Sequence, residues 1–181
     1  MTSIIVVDFG MGNLRSVAKA FEHVAPKATV RISGDVSEIR SADRVVLPGQ
    51  GAIGGYIKAL HDTDLEPAVL EAARSKPFLG ICLGQQVLYE SSDEHGEDGD
   101  SVKTLGLFKG QVKHFTHVSS DPQAMLDPHT GHQYTIPHMG WNQVKQAIDH
   151  PMWDGIDDLA RFYFVHSYCV QSELDEDVAG V

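Results

Sequence analysis

The feature that most constrains this chain is a cysteine set between two glycines, Gly80-Ile81-Cys82-Leu83-Gly84. It stands where a short apolar run from Phe78 meets a helix-compatible segment that continues to Glu90. That order predicts a strand, a sharp turn and a helix. A side chain carried on such a turn needs small neighbours, because a Cβ two residues away on either side would run into the doubled-back backbone. The thiol is then placed at a helix N-terminus, where unpaired amide hydrogens attract negative charge. The next amide, on Leu83, is positioned to hold a developing oxyanion. The motif therefore offers a nucleophile and half an oxyanion hole. Its competing reading is a small inert cysteine packed in a tight turn.

The segments before this turn alternate. Ser3-Ile4-Ile5-Val6-Val7 predicts a buried strand, residues 8–13 a turn, and Leu14, Val17, Ala18 and Phe21 fall at helical spacing up to Pro26. Residues 29–32 predict a second strand, 37–41 a short helix and 44–47 a third strand, broken by Pro48-Gly49-Gln50-Gly51. Residues 53–61 and 65–75 read as helices that deliver the chain to the strand before Cys82. Strands alternating with helices predict an α/β fold with a mostly parallel sheet and functional groups at the strands' C-terminal ends. Residues 90–100 carry six carboxylates without a Lys or Arg. Their spacing does not fit a calcium loop, so a solvated surface loop is expected. Residues 106–115, 134–137 and 161–170 have the content of strands, so the second half is expected to be β-rich with mixed or antiparallel pairing. Residues 172–177 are acidic and turn-like. No linker divides the sequence, and residues 1–181 are expected to form a single domain.

The chain has 181 residues, 42% of them hydrophobic, enough for one sizeable core. Lys and Arg number 14 against 25 Asp and Glu, a formal charge of -11, which disfavours general attraction to nucleic acid or an anionic membrane. Two cysteines far apart, Cys82 and Cys169, are the usage of a reducing compartment, and a cytoplasmic location is expected. No apolar run reaches the ~18 residues that a membrane span requires.

Several other motifs compete for attention. Gly49-x-Gly51-x-x-Gly54 matches a dinucleotide fingerprint, but its ribose-binding acid should follow a second strand, and Glu66 and Glu71 lie in a helical pattern instead. Asp8-Phe9-Gly10 spells a kinase triplet without the accompanying loops. At the end of a strand, Pro48-Gly49-Gln50-Gly51 is better used to offer the Gln50 amide beside that of Leu83, the alternative being an ordinary turn. His129-x-x-His132 and His138 lack structural zinc spacing, and no metal is expected. On residue chemistry alone His138 and His166 are as readily packed as functional. Trp141, in a glycine-flanked turn, is either a partner anchor or core.

Taken together these stretches resemble a known family. Gly80-Ile81-Cys82-Leu83-Gly84-Gln85-Gln86 is similar to the elbow of the class I (triad) glutamine amidotransferases, in which the cysteine attacks the carboxamide of glutamine and releases ammonia. Residues 8–17, Leu47-Pro48-Gly49-Gln50-Gly51-Ala52, Pro137-His138-Met139-Gly140-Trp141-Asn142 and Tyr163-Phe164-Val165-His166-Ser167-Tyr168 resemble, more narrowly, the glutaminase subunits of imidazole glycerol phosphate synthase. The resemblance implies a three-layer, flavodoxin-like amidotransferase fold without cofactor. It implies Cys82 as nucleophile, Gln50 and Leu83 as oxyanion amides, and Gly49, Gly51, Gln86, His166, Ser167 and Tyr168 around L-glutamine. Asn13, Met139, Gly140, Trp141 and Tyr163 would face a (β/α)₈-barrel cyclase subunit that receives the ammonia in histidine biosynthesis.

The family completes its triad with a His and a Glu in a Phe-His-Pro-Glu type motif, and these 181 residues contain none. The resemblance thus implies a domain shortened at its C-terminus, lacking its last strands. A second reading follows, a glutaminase-like subunit that binds without hydrolysing. A cysteine-elbow hydrolase or chaperone of the stress-protein type shares the elbow but not the Asn13 and Trp141 motifs.

Overall fold

Four parallel strands build the first half of the molecule: β1 (Ser3–Val7), β2 (Thr29–Ser33), β3 (Arg44–Gly49) and β4 (Phe78–Cys82), in the spatial order β2-β1-β3-β4. The structure is a computed structural model that describes residues 1–95, 100–127 and 131–181. These fall into two units, Met1–Leu107 and Phe108–Val181.

In the first unit the apolar runs of β1 and β3 are continuous because the sheet is covered on both faces. Ile5, Val7, Val45 and Leu47 pack with side chains of α2 (Val36–Ser41), α3 (Ile53–Asp62) and α4 (Glu66–Ser75). Ile4, Val6 and Val46 pack against α1 (Leu14–Val24), whose Leu14, Val17, Ala18 and Phe21 form the expected stripe. The result is three layers, helix on sheet on helix, with each fully buried Ile or Val worth about 1.5–3 kcal/mol. Asp35 starts α2 by accepting from the amides of Ser37 and Glu38 at 2.7 and 3.2 Å.

Two expectations need correction here. β3 runs through Pro48 to Gly49 instead of breaking at Pro48. Its pairing with β1 ends at Val46, so on that side a missing N–H removes no ladder bond. The acidic stretch is also not a loop throughout: Ser91–His95 form β5, antiparallel to β6 (Ser101–Lys103). Ser92 is buried, and the Glu94 carboxylate accepts from the Ile53 amide at 3.1 Å, so a charge expected in solvent caps α3. Residues 96–99, the rest of that expected loop, lie outside the described residues.

The second unit is antiparallel, as its composition leads one to expect. β7 (Gly110–His114) pairs with β10 (Tyr168–Ser172), and β8 (His138–Gln143) pairs with β9 (Arg161–His166). The strand expected over 161–170 is divided at Ser167, where the chain changes partner from β8 to β7 and the Phe115 amide donates to the Ser167 carbonyl at 3.0 Å. Residues 134–137 do not form a strand. Pro137 has no amide to donate, and β8 begins one residue beyond it. No helix among the described residues is long and apolar enough to cross a membrane.

Candidate active site

Cys82 ends β4 and immediately precedes α5 (Leu83–Gln86). Its backbone lies at φ 56° and ψ −117°, a left-handed geometry that side-chain-bearing residues rarely adopt, and its side chain is exposed. Such a position costs about 1–3 kcal/mol and persists only where the surroundings impose it. The flanking glycines show what imposes it. A Cβ on Gly80 would lie 2.5 Å from the Gly84 oxygen and 2.7 Å from the Gln85 nitrogen, and one on Gly84 would collide with the Leu47 carbonyl. The turn is therefore closed against its own helix on one side and against β3 on the other.

The helix after the cysteine is a single turn, shorter than the run to Glu90 that the sequence leads one to expect. Past Gln86 the amides of Leu88 and Tyr89 donate three residues back, to the carbonyls of Gln85 and Gln86 at 3.2 Å, a tighter turn than the α ladder. The carbonyls of Val87, Leu88 and Tyr89 accept from the amides of Leu105, Leu107 and Gly106, each at 2.8 Å, so no helix continues from them. Gln86, read as a pocket residue, is buried on this turn, while Gln85 beside it is exposed.

The neighbouring strand brings Gln50 to the same end of the sheet. Gly49 is the register partner of Cys82, so Gln50 and Leu83 each stand one residue beyond a paired position at the same edge of the sheet. Gly49 lies hard against α5: a Cβ there would meet the Gly84 nitrogen and the Leu83 Cβ at 2.9 Å, and would also strike the Tyr56 ring. Gln50 is exposed, and Gly51 takes a positive φ of 101° that a side chain would strain. The glycine turn after β1 adjoins this segment, an ideal Cβ on Gly12 lying 3.9 Å from the Gly49 nitrogen. Asn13 beside it caps α1, its Oδ1 accepting from the Ser16 amide at 3.4 Å. The first unit thus brings together Cys82, Leu83, Gly49, Gln50, Gly51 and Gln86.

Tyr56 is the residue here that the sequence did not single out. Its ring is fully buried and stands edge-on to Phe9 with centroids 4.7 Å apart, while its hydroxyl donates to the Pro48 carbonyl at 2.9 Å. Burial, and secondarily the charge of Cys82, push its phenol above the usual tyrosine range, so it remains a donor. Ile53, Tyr56 and Leu60 at helical spacing mark a core face, and nothing in that pattern reveals what the hydroxyl reaches.

The second unit holds the remaining candidates. His166 faces His138 across the β8–β9 ladder, with His138 Nδ1 and His166 Nε2 3.3 Å apart. His166 Nδ1 is 3.0 Å from the Tyr168 carbonyl, which can only accept, so Nδ1 carries the proton and Nε2 accepts from His138. Burial lowers the His166 pKa, opposed by the Tyr168 carbonyl and helped by the charge of His138. Each histidine taken alone gave no hint of the pair, because 28 residues separate them. Met139, Trp141 and Tyr163 are 62, 64 and 55% exposed on one face of the same ribbon. Trp141 and Tyr163 are register partners in edge contact with centroids 5.5 Å apart, and Gly140 sits between the two exposed β8 side chains. Ser167 and Tyr168 follow at the change of strand. His129 lies outside the described residues, and among the described residues no three His, Cys, Asp or Glu are grouped to hold a metal.

A cysteine at positive φ on a strand-to-helix turn of a three-layer α/β sheet defines a class, and residues 5–180 match the family model of the class-I glutamine amidotransferases. The chain is 51% identical over 99% of its length to the imidazole glycerol phosphate synthase subunit HisH of Nitrosomonas europaea, spanning 80% of that protein. It is 51% identical over 98% of its length to HisH of Thiobacillus denitrificans, spanning 73% of it. The chain belongs to this HisH family within the class-I glutamine amidotransferases. Among solved structures it is similar to a glutamine amidotransferase with a TM-score of 0.58 at 11% identity, covering 92% of this chain and 73% of the other, a likeness of fold alone.

Proposed function

We propose that this chain hydrolyses glutamine at Cys82 and passes the ammonia to a cyclase subunit of imidazole glycerol phosphate synthase, in histidine biosynthesis. The observation that carries this reading is the exposed Cys82 at a positive φ, paired in register with Gly49. The sulfur attacks the carboxamide carbon, and the electron pair released onto oxygen is held by the amides of Leu83 and Gln50. Collapse of that adduct expels ammonia, which takes up the thiol's proton, and leaves a glutamyl thioester. Water then cleaves the thioester to glutamate and restores the thiol. Gly49, Gly51, Gln86, His166, Ser167 and Tyr168 are the residues read as surrounding the glutamine. The base of the Phe-His-Pro-Glu motif is not among these 181 residues, which account for the nucleophile and the oxyanion donors.

The exposed face of Met139, Trp141 and Tyr163, which includes Gly140, is the part of the second unit read as meeting the (β/α)₈-barrel cyclase, and Asn13 is the residue of the first unit read so. Ammonia free in neutral water is largely protonated and no longer nucleophilic, which favours delivery within a complex. Reading the chain as a binding subunit without hydrolysis finds no support in relatives that carry the name of the synthase subunit. The test is ammonia release from glutamine by the full chain with its cyclase subunit. Cys82→Ala should remove about 10³-fold or more of the rate; an undiminished rate would refute the assignment.

A further inference from the structure

Glutamine hydrolysis at Cys82 needs the Gln50 amide to face the developing oxyanion, so what holds the Pro48–Gly51 segment bears on the rate. This part of β3 has lost its β1 partner after Val46 and keeps β4 only as far as Gly49, and Gly49 and Gly51 flank Gln50 without side chains to fix them. Among the described residues the side chain that reaches its backbone is Tyr56, whose hydroxyl donates to the Pro48 carbonyl at 2.9 Å from one turn into α3. The Tyr56 ring also occupies the space where a Gly49 side chain would stand. Phe9 holds that ring edge-on, and its exposure is zero, so the hydroxyl is not free to exchange its acceptor for water.

We propose that Tyr56 is a positioning residue for this reaction: its hydroxyl pins the Pro48–Gly49 peptide so that only the Gly49–Gln50 peptide can turn its amide toward the oxygen beside Cys82. The bond lies one peptide upstream of the donor. It fixes the plane from which that donor swings and leaves the donor itself unrestrained. The inference rests on the glutaminase reading above.

The test is Tyr56→Phe in the full chain assayed with its cyclase subunit. This variant keeps the ring and its contact with Phe9 and deletes the hydroxyl. The expected result is a fall in kcat of about tenfold, the worth of one hydrogen bond, with KM for glutamine changed less than about twofold. Alkylation of Cys82 by iodoacetamide, followed by peptide mass spectrometry, should proceed at the wild-type rate, since the nucleophile is untouched. A Val69→Ala variant, in the same core but on α4, controls for packing and should lower thermal stability while sparing kcat. Unchanged kcat in Tyr56→Phe overturns the proposal, as does an equal fall in Val69→Ala or a rise in KM that accounts for the whole effect. Absence of turnover in the wild-type chain would refute the glutaminase reading instead, which separates the two failures.

Discussion

Gly49 and Cys82 are register partners at the ends of two adjacent parallel strands, and the first turn of α5 is pressed against both. The strained backbone of Cys82 is held from β3 as much as from its own strand. The carbonyl of Leu47, two residues before Gly49, occupies the space that a side chain on Gly84 would need.

From this contact comes a contrast between two glycines. Gly84→Ala should destabilise the protein by about 3 kcal/mol or more, because the colliding atom is backbone and cannot move aside. Gly55→Ala, on the exposed face of α3 with nothing near its ideal Cβ, should stabilise it by about 0.5–1 kcal/mol. Urea denaturation of the two variants decides, and equal effects would contradict the packing described.

Cys82 should cost stability in return for its position. Cys82→Gly accepts φ 56° without strain, so the variant should be inactive yet more stable than wild type by about 1 kcal/mol. Calorimetry of the pair measures this. A less stable glycine variant would mean that the elbow is not strained.

Glu94 should matter more than its place in an acidic stretch suggests. Ala52 at the start of α3 offers no capping side chain, and Glu94 supplies the acceptor from 41 residues away. Glu94→Ala should cost about 1 kcal/mol, whereas Asp100→Ala, exposed in the same stretch, should be near neutral. Denaturation midpoints compare them directly.

Acidification should weaken the second unit through His166. Its pKa is lowered below the usual histidine value of 6.5, chiefly by burial, so the unfolded chain takes up the proton first. The contribution to stability is full above about pH 6.5. It is lost progressively as pH falls toward the lowered folded value. His166→Gln should flatten the pH dependence of stability over that window, measured by denaturation at several pH values. Parallel curves for the two proteins would exclude His166 as its source.

Much of this molecule is legible in local pattern. The apolar runs of β1 and β3, the stripe of Leu14, Val17, Ala18 and Phe21, and the glycines around Cys82 are signals carried by neighbours within a few residues, and the structure forms a strand, a helix and an elbow there. Failures occur where a distant segment competes. Residues 87–89 turn more tightly than an α-helix and give their carbonyls to the amides of Leu105, Gly106 and Leu107, and residues 91–95 become a strand through pairing with β6. The strand expected over 161–170 divides because two different partners take its halves.

The same division holds for the site. Local sequence determined that a cysteine would stand on a tight strand-to-helix turn, since only glycines two residues either side leave room for the backbone to reverse. Tertiary structure alone decided that Gly49 would be its partner, that the Tyr56 hydroxyl would find the Pro48 carbonyl, that Glu94 would cap α3, and that His138 would meet His166. Backbone sterics and side-chain periodicity act over one or two turns of chain. A hydrogen bond between distant residues depends on strand order and register, which are set by burying the whole sheet at once.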